Sequence, residues 1–192
     1  MEREVILTGI GGQGVQLAAQ VLARAAVLED RQVMMLGTYG GTIRGGNTDS
    51  MLVVADAPIG APPIISRTWS ALVMHPQFFA PLRAKLRPGA VVMVNSSLFH
   101  GELDRRAQRV FEIPATALAA ELGNPLGASL LLLGAFARTT GFVALESLLA
   151  GMRESVPSYR RQHVEGNEAA LRAGFGAVPA GAAPAWHVEA AA

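Results

Sequence analysis

Gly9, Gly11 and Gly14 stand at the spacing of an anion-binding turn, with Gly12 and Gln13 filling the gaps. Glycines let backbone N–H groups come close to a ligand, and the first N–H groups of a following helix have no partner inside it, so such a turn suits a phosphate or a carboxylate. A glycine-rich turn that merely allows tight strand-to-helix packing is the plainer alternative. Arg44, followed by Gly45 and Gly46, lies in a second such stretch, Gly37 to Gly46, which holds five glycines. There a guanidinium fork can meet phosphate or carboxylate close to the backbone. Pairing of Arg44 with an acidic residue, or bracing of the loop's carbonyls, explains it equally well. Asn95 and Ser96 follow an apolar run and reach the carboxyl end of a strand, where open α/β sheets take their ligands. A helix cap or a turn accounts for them as readily.

His75 closes the run Ala71 to Met74 and precedes Pro76, with no carboxylate set to orient it, so a structural role outweighs a catalytic one. His100, His163 and His187 share no spacing that suggests a metal. The chain has no cysteine, which excludes disulfides, thiolate zinc sites and iron–sulfur ligation by its own residues. No nucleophile stands beside a base, so no catalytic residue is assigned.

Two nucleotide-binding readings lose their defining element. The spacing Gly9-x-Gly11-x-x-Gly14 matches the dinucleotide fingerprint, but that fingerprint needs an acidic residue at the end of the second strand. Leu36, Gly37 and Thr38 occupy that place, and Glu29 and Asp30 come before the strand. A phosphate-binding loop of the Walker type fails because no Gly-Lys-Ser/Thr follows.

The elements that must position these residues alternate between strand and helix, which argues for a layered α/β fold on a mostly parallel sheet. Strands are expected near 4–8, 32–36, 48–55, 70–74, 90–94 and 109–113. Val15, Ala18, Leu22 and Ala25 have helical spacing over 14–29, and Gln77 to Leu86 reads as a shorter helix stopping before Pro88-Gly89. The first half, with its strand, glycine turn and helix, is Rossmann-like. The last third is helical: one apolar helix from Asn124-Pro125 through Phe136, one over Leu145 to Arg153, and one over Gln162 to Arg172. Residues 57–68, with three prolines, form an irregular connection. Gly176 to Ala192 is an Ala/Gly/Pro tail expected to be mobile or to drape on a partner, with Trp186 as its anchor.

With 192 residues, 51 % hydrophobic and 16 % charged, one domain is expected, spanning 1–175 ahead of the tail. A net charge of +1 with scattered arginines gives no basic stripe, so nucleic acid is excluded as a partner. Glu2, Arg3 and Glu4 lead straight into a strand rather than a signal peptide, and Leu126 to Phe136 is about half a membrane span. A cytoplasmic location without membrane contact is expected. Mean hydropathy of +0.31 is high for a free monomer and fits a surface partly covered by other subunits, or an alanine-rich chain without sticky patches.

Five segments, in order across residues 3–175, resemble the gamma subunit of the thiamine-dependent 2-oxoacid:acceptor oxidoreductases. They are Gly9 to Gly14 after the first strand; Arg44, Gly45 and Gly46 before the third; Val94, Asn95 and Ser96; Gly123, Asn124 and Pro125 with the helix ending Leu133, Gly134 and Ala135; and Asn167 to Ala170 with Gly174 and Phe175. The resemblance implies a three-layer α/β fold and oxidative decarboxylation of a 2-oxoacid, pyruvate, 2-oxoglutarate and indolepyruvate among the candidates. It implies partner subunits carrying thiamine diphosphate and iron–sulfur clusters, and ferredoxin or a similar electron acceptor. By itself the chain is expected to bind no cofactor, although the 9–14 turn and Arg44 suit the phosphates of coenzyme A. Docking of partner subunits by the same loops is the equal alternative, and a stand-alone nucleotide-binding or regulatory module is the alternative from another class.

Overall fold

The computed structural model describes residues 1–39, 45–60 and 62–186. Among these residues six strands form one sheet: β1 (Glu2–Ile10), β2 (Gln32–Tyr39), β3 (Asn47–Ala55), β4 (Thr68–Val73), β5 (Leu86–Asn95) and β6 (Arg109–Ile113). Six α-helices among the described residues accompany them: α1 (Val15–Leu28), α2 (Phe79–Arg83), α3 (Ala115–Glu121), α4 (Ala128–Thr140), α5 (Leu145–Ser155) and α6 (Val164–Gly176). The sheet order is β2-β3-β1-β4-β5-β6. β1, β4, β5 and β6 run parallel, whereas β3 pairs antiparallel with both β1 and β2. The Rossmann-like opening therefore departs from a doubly wound sheet at one place: a β2–β3 hairpin puts an antiparallel strand between the first two strands in sequence.

Period-two alternation sends the strand residues to two cores. Val5, Leu7, Leu52, Val54 and Met93 face the larger one, under α1, α4, α5 and α6. Ile6, Val53, Val73, Val92 and Val94 face the smaller one, closed by Phe79 and Leu82 of α2 and by Phe99. The result is the three-layer α/β arrangement. Every residue of α4 except Arg138 is buried, because the helix packs on β4 and β5 on one side and on α6 on the other. α4 and α6 meet backbone to backbone: a Cβ on Gly134 would overlap the carbonyl oxygen of Leu171, and one on Gly174 that of Leu131.

Three local expectations are corrected. The stretch from Gln77 holds only a 3-10 turn at Pro76–Phe78 and the five-residue α2, and Leu86 already opens β5. Pro88 and Gly89 lie inside that strand, at a register shift against β4 where Gly89 has φ 74° and its N–H donates to the Ala107 carbonyl. A bulge accepts the residues that a regular strand interior would reject. α3, unread in the sequence, follows Pro114. The helix expected from Gln162 begins as a 3-10 turn at Ser158–His163 and becomes α6.

Up to Trp186 the alanine-rich segment packs on this chain. The N–H groups of Gly181, Ala183 and Ala185 donate to the carbonyls of Arg138, Thr139 and Thr140, the open end of α4. Trp186 donates from Nε1 to the Phe142 carbonyl, and the Arg31 guanidinium lies 3.6 Å from its ring centroid. His187 to Ala192 lie outside the described residues. Among the described residues no helix is long and apolar enough to cross a membrane.

Candidate functional site

Because β1, β4 and β5 are parallel, the 9–14 turn, His75 and Asn95 all emerge at the carboxyl edge of the sheet. The turn is held tightly by its own atoms. Ile10 N–H donates to the Gln13 side chain at 2.9 Å, Gln13 N–H to the Ile10 carbonyl at 3.2 Å, and Gly11 N–H to the Gly46 carbonyl at 2.9 Å. The two glycine-rich stretches therefore touch, through Gly11 and Gly45-Gly46. Arg44 lies outside the described residues.

Gly9 is required by close packing, since a Cβ there would stand 2.7 Å from Gln13 Oε1 and 2.8 Å from Val15 Cγ2. Gly14 is required twice over. It caps α1 at φ 75°, in the left-handed region, and a Cβ would stand 2.7 Å from Ser129 Oγ on α4. The last glycine of the fingerprint thus seats α1 against α4.

Asn95 and Ser96 do not join this turn. Asn95 is fully buried; its Nδ2 donates to Thr116 Oγ1 at 2.8 Å, and its Oδ1 accepts from the Thr116 N–H at 3.2 Å. The Ser96 N–H donates to the Ile113 carbonyl. Together they tie the end of β5 to β6 and to the start of α3. His75 accepts the Gln77 N–H on Nδ1 and so caps a helical turn.

On the helical side of the turn lies a cavity of about 360 Å³. Gly12, Gly14 and Leu17 form one wall, Asn124 and Leu126 another, and Val156, Arg160, His163 and Asn167 close the third. Three segments more than a hundred residues apart in part, 9–14, 123–125 and 167–170, thereby meet around one space. Asn167 is 8 % exposed, and its Oδ1 accepts a long 3.4 Å bond from Asn124 Nδ2. Among the described residues no carboxylate lines the cavity, and the two ionisable side chains that do are Arg160 and His163. The sequence alone read Asn124 as a helix start, gave Asn167 a place only in a resembling segment and Arg160 no role, and weighed His163 only as a metal ligand. Only the contact between α6, the α3–α4 connection and the turn reveals them as a set.

A second exposed region has a different character. At the free edge of the sheet Met34, Met35 and Leu36 of β2 are 36–38 % exposed, beside Val27 and Leu28 at the end of α1. They carry apolar surface where a free monomer would place charge.

A three-layer α/β domain with a glycine turn opening on a cavity lined by Arg160 and His163 defines a small-ligand-binding or subunit domain with no catalytic constellation among its described residues. Residues 4–177 match the model of the pyruvate ferredoxin/flavodoxin oxidoreductase family, and the chain belongs to that family. The 2-oxoglutarate synthase subunit KorC of Methanocaldococcus jannaschii is 32 % identical over 160 residues, 82 % of this chain and 85 % of that one. The keto/oxoacid ferredoxin oxidoreductase gamma subunit of Geobacter sulfurreducens superposes with a TM-score of 0.79 at 27 % identity, covering 92 % of this chain and 95 % of that one. The 2-oxoglutarate:ferredoxin oxidoreductase of Magnetococcus marinus, with 2-oxoglutarate, coenzyme A and succinyl-CoA bound, shares the fold at a TM-score of 0.75 and 16 % identity; the match covers 91 % of this chain and 30 % of that one. The chain is a gamma-type subunit of a 2-oxoacid oxidoreductase complex, and a stand-alone nucleotide-binding module is not favoured. The sheet adds a physical reason: β3 stands between β1 and β2, so the second strand is not the neighbour of the first as it is in a doubly wound dinucleotide-binding sheet.

Proposed function

We propose that this subunit works in the cytoplasm and supplies a coenzyme A contact at its 9–14 turn, while partner subunits carry thiamine diphosphate and the iron–sulfur clusters. In the reaction the 2-oxoacid loses its carboxyl group as CO₂, the acyl carbon is oxidised by two electrons that pass to ferredoxin, and the acyl group joins the coenzyme A sulfur, whose thiol proton is released. Thiamine diphosphate supplies the means of stabilising charge at the acyl carbon. This chain's own part is to bind and orient. The observation that carries the reading is that Gly12 and Gly14 border a cavity that Arg160 lines and that no carboxylate among the described residues lines, which suits a ligand with several phosphate charges. The apolar edge at Met34, Met35 and Leu36 supports contact with partner subunits rather than a free existence.

Arg44→Ala in the assembled complex tests the loop chemistry. A raised coenzyme A requirement with assembly intact supports the contact. Weakened assembly with unchanged coenzyme A kinetics would mean that the loops dock partners. For the substrate, 2-oxoglutarate heads the panel because the KorC relative is a 2-oxoglutarate synthase subunit, with pyruvate and indolepyruvate beside it.

A further inference from the structure

The two edges of the sheet are finished differently. β6 is five residues long and carries Arg109 and Glu112, both exposed, with Glu112 paired to Arg105 at 2.8 Å. Shortness and charge are means by which an edge strand avoids pairing with another chain. β2 has neither: Gln32–Tyr39 is eight residues without a charged side chain, a proline or a register shift.

The backbone of β2 is free along that edge. In an antiparallel pair, residues that exchange hydrogen bonds alternate with residues that do not, so one bond fixes the rest of a regular ladder. Between β1 and β3 the Gly11 N–H donates to the Gly46 carbonyl, and the Asp56 N–H to the Met1 carbonyl. Thr48, Ser50, Leu52 and Val54 therefore bond β1, while Asp49, Met51, Val53 and Ala55 turn to β2, opposite Thr38, Leu36, Met34 and Gln32. Val33, Met35 and Gly37 are left with N–H and C=O groups that point outward in the plane of the sheet and bond nothing among the described residues. Such a row is a template for a further strand.

Apolar surface flanks this edge on both faces. Met34 lies on the face of Val53 and Leu36 on that of Met51, whereas Met35 lies on the other face beside Val27 and Leu28 of α1; these five exposed side chains are 36–57 % accessible. On the α1 side a groove of about 640 Å³ follows β2, lined by Val27, Leu28, Val33 and Met35 and by Arg24 and Glu154, whose charges are paired with each other. An occupant matched in charge to this edge is therefore extended, uncharged and apolar on both faces. A second copy of β2 is such a strand, but it brings its own groove beside it, so pairing the two would set two empty grooves side by side. A companion subunit is free of that symmetry and can fill the groove.

We propose that an extended, uncharged segment of a companion subunit adds to β2 as a seventh strand, bonded to the backbone of Val33, Met35 and Gly37. The proposal rests on the reading that companion subunits cover this edge and is independent of the coenzyme A contact.

Amide hydrogen exchange, compared between the full chain alone and the complex purified through a tag on it, tests the added strand directly. The Val33, Met35 and Gly37 amides should exchange quickly in the chain alone and at least about a hundredfold more slowly in the complex, whereas Met34 and Leu36, bonded to β3, should be slow in both. A companion that merely rests side chains on Met34 and Leu36 leaves the three outward amides unbonded and fast. Met35→Pro removes one outward N–H without breaking a bond to β3, a change that an edge strand tolerates. Met35→Ala removes the same side chain and keeps the N–H. Recovery of companions should fall about tenfold or more with Met35→Pro, and much less with Met35→Ala. Equal recovery with the two variants, or outward amides as fast in the complex as in the chain alone, would overturn the added strand, while the recovered companions uphold the subunit reading. An unaltered chain recovered without companions would overturn both. Protection of the three amides in the chain alone would overturn the companion as occupant, and loss of that protection on dilution would assign the edge to a second copy. Should Met35→Pro fail to fold, exchange in the unaltered complex decides by itself.

Discussion

Asn95 and Asn167 are both buried asparagines, yet their amides are engaged to different degrees. Asn95 has both ends of its amide engaged by Thr116, and its Nδ2 also approaches the Met74 carbonyl at 3.4 Å. Asn95→Ala should therefore destabilise the chain by roughly 2 kcal/mol, because it strands buried partners, and a fall in the urea midpoint measures it. An unchanged midpoint would mean that the tie between β5 and α3 contributes nothing. Gly14→Ala should cost about 1–2 kcal/mol, from a left-handed backbone and from crowding of Ser129 Oγ, read in the same way. The glycine positions were legible in the sequence because only backbone chemistry is needed to read them. The role of Asn95 was not, since its partner lies on α3, a seven-residue helix behind Pro114 whose alanines give little apolar periodicity. Asn167 was visible only as part of a resembling segment, because what it faces is supplied by residues far away in the chain.

At the scale of elements, the close crossing of α4 and α6 depends on two glycines. Gly134→Ala or Gly174→Ala pushes a methyl group into the facing helix's backbone, which cannot give as a flexible side chain can. Each should cost about 3 kcal/mol by overpacking, visible as a lowered urea midpoint; a midpoint within error of the unaltered chain would show that the helices part easily. A second dependence lies at the other end of α4. Trp186 stacks with Arg31 and packs on Phe142 at a centroid distance of 5.2 Å, over the segment that closes the helix's last carbonyls. Trp186→Ala should cost about 3 kcal/mol and speed amide exchange at Gly181, Ala183 and Ala185; unchanged exchange there would show that the segment holds without its anchor. Helices with apolar spacing were legible, α1 and α4 above all. The Gln77–Leu86 expectation overran because Pro88-Gly89 reads as a stop in any helix, whereas the chain uses it as a bulge inside β5.

At the scale of the molecule, the parallel α/β character followed from alternation of strand and helix. The sheet order did not, because a β2–β3 hairpin inserts β3 between β1 and β2 without any local sign. That insertion makes β2 an edge strand and leaves Met34, Met35 and Leu36 on the outside. If this edge meets a partner subunit, Met35→Lys should reduce co-purification of the companions at least several-fold while leaving the chain's own urea midpoint nearly unchanged. A lysine introduced into an edge strand is tolerated in water and disfavoured in an apolar interface. Equal recovery of companions would move the interface elsewhere.

The most direct test of the central claim is 2-oxoacid-dependent viologen reduction by the complex, purified anaerobically through a tag on this chain. Companions containing thiamine diphosphate and iron are expected, with reduction that requires both a 2-oxoacid and coenzyme A. Recovery of the chain without companions or cofactors, under conditions that preserve related complexes, would contradict it.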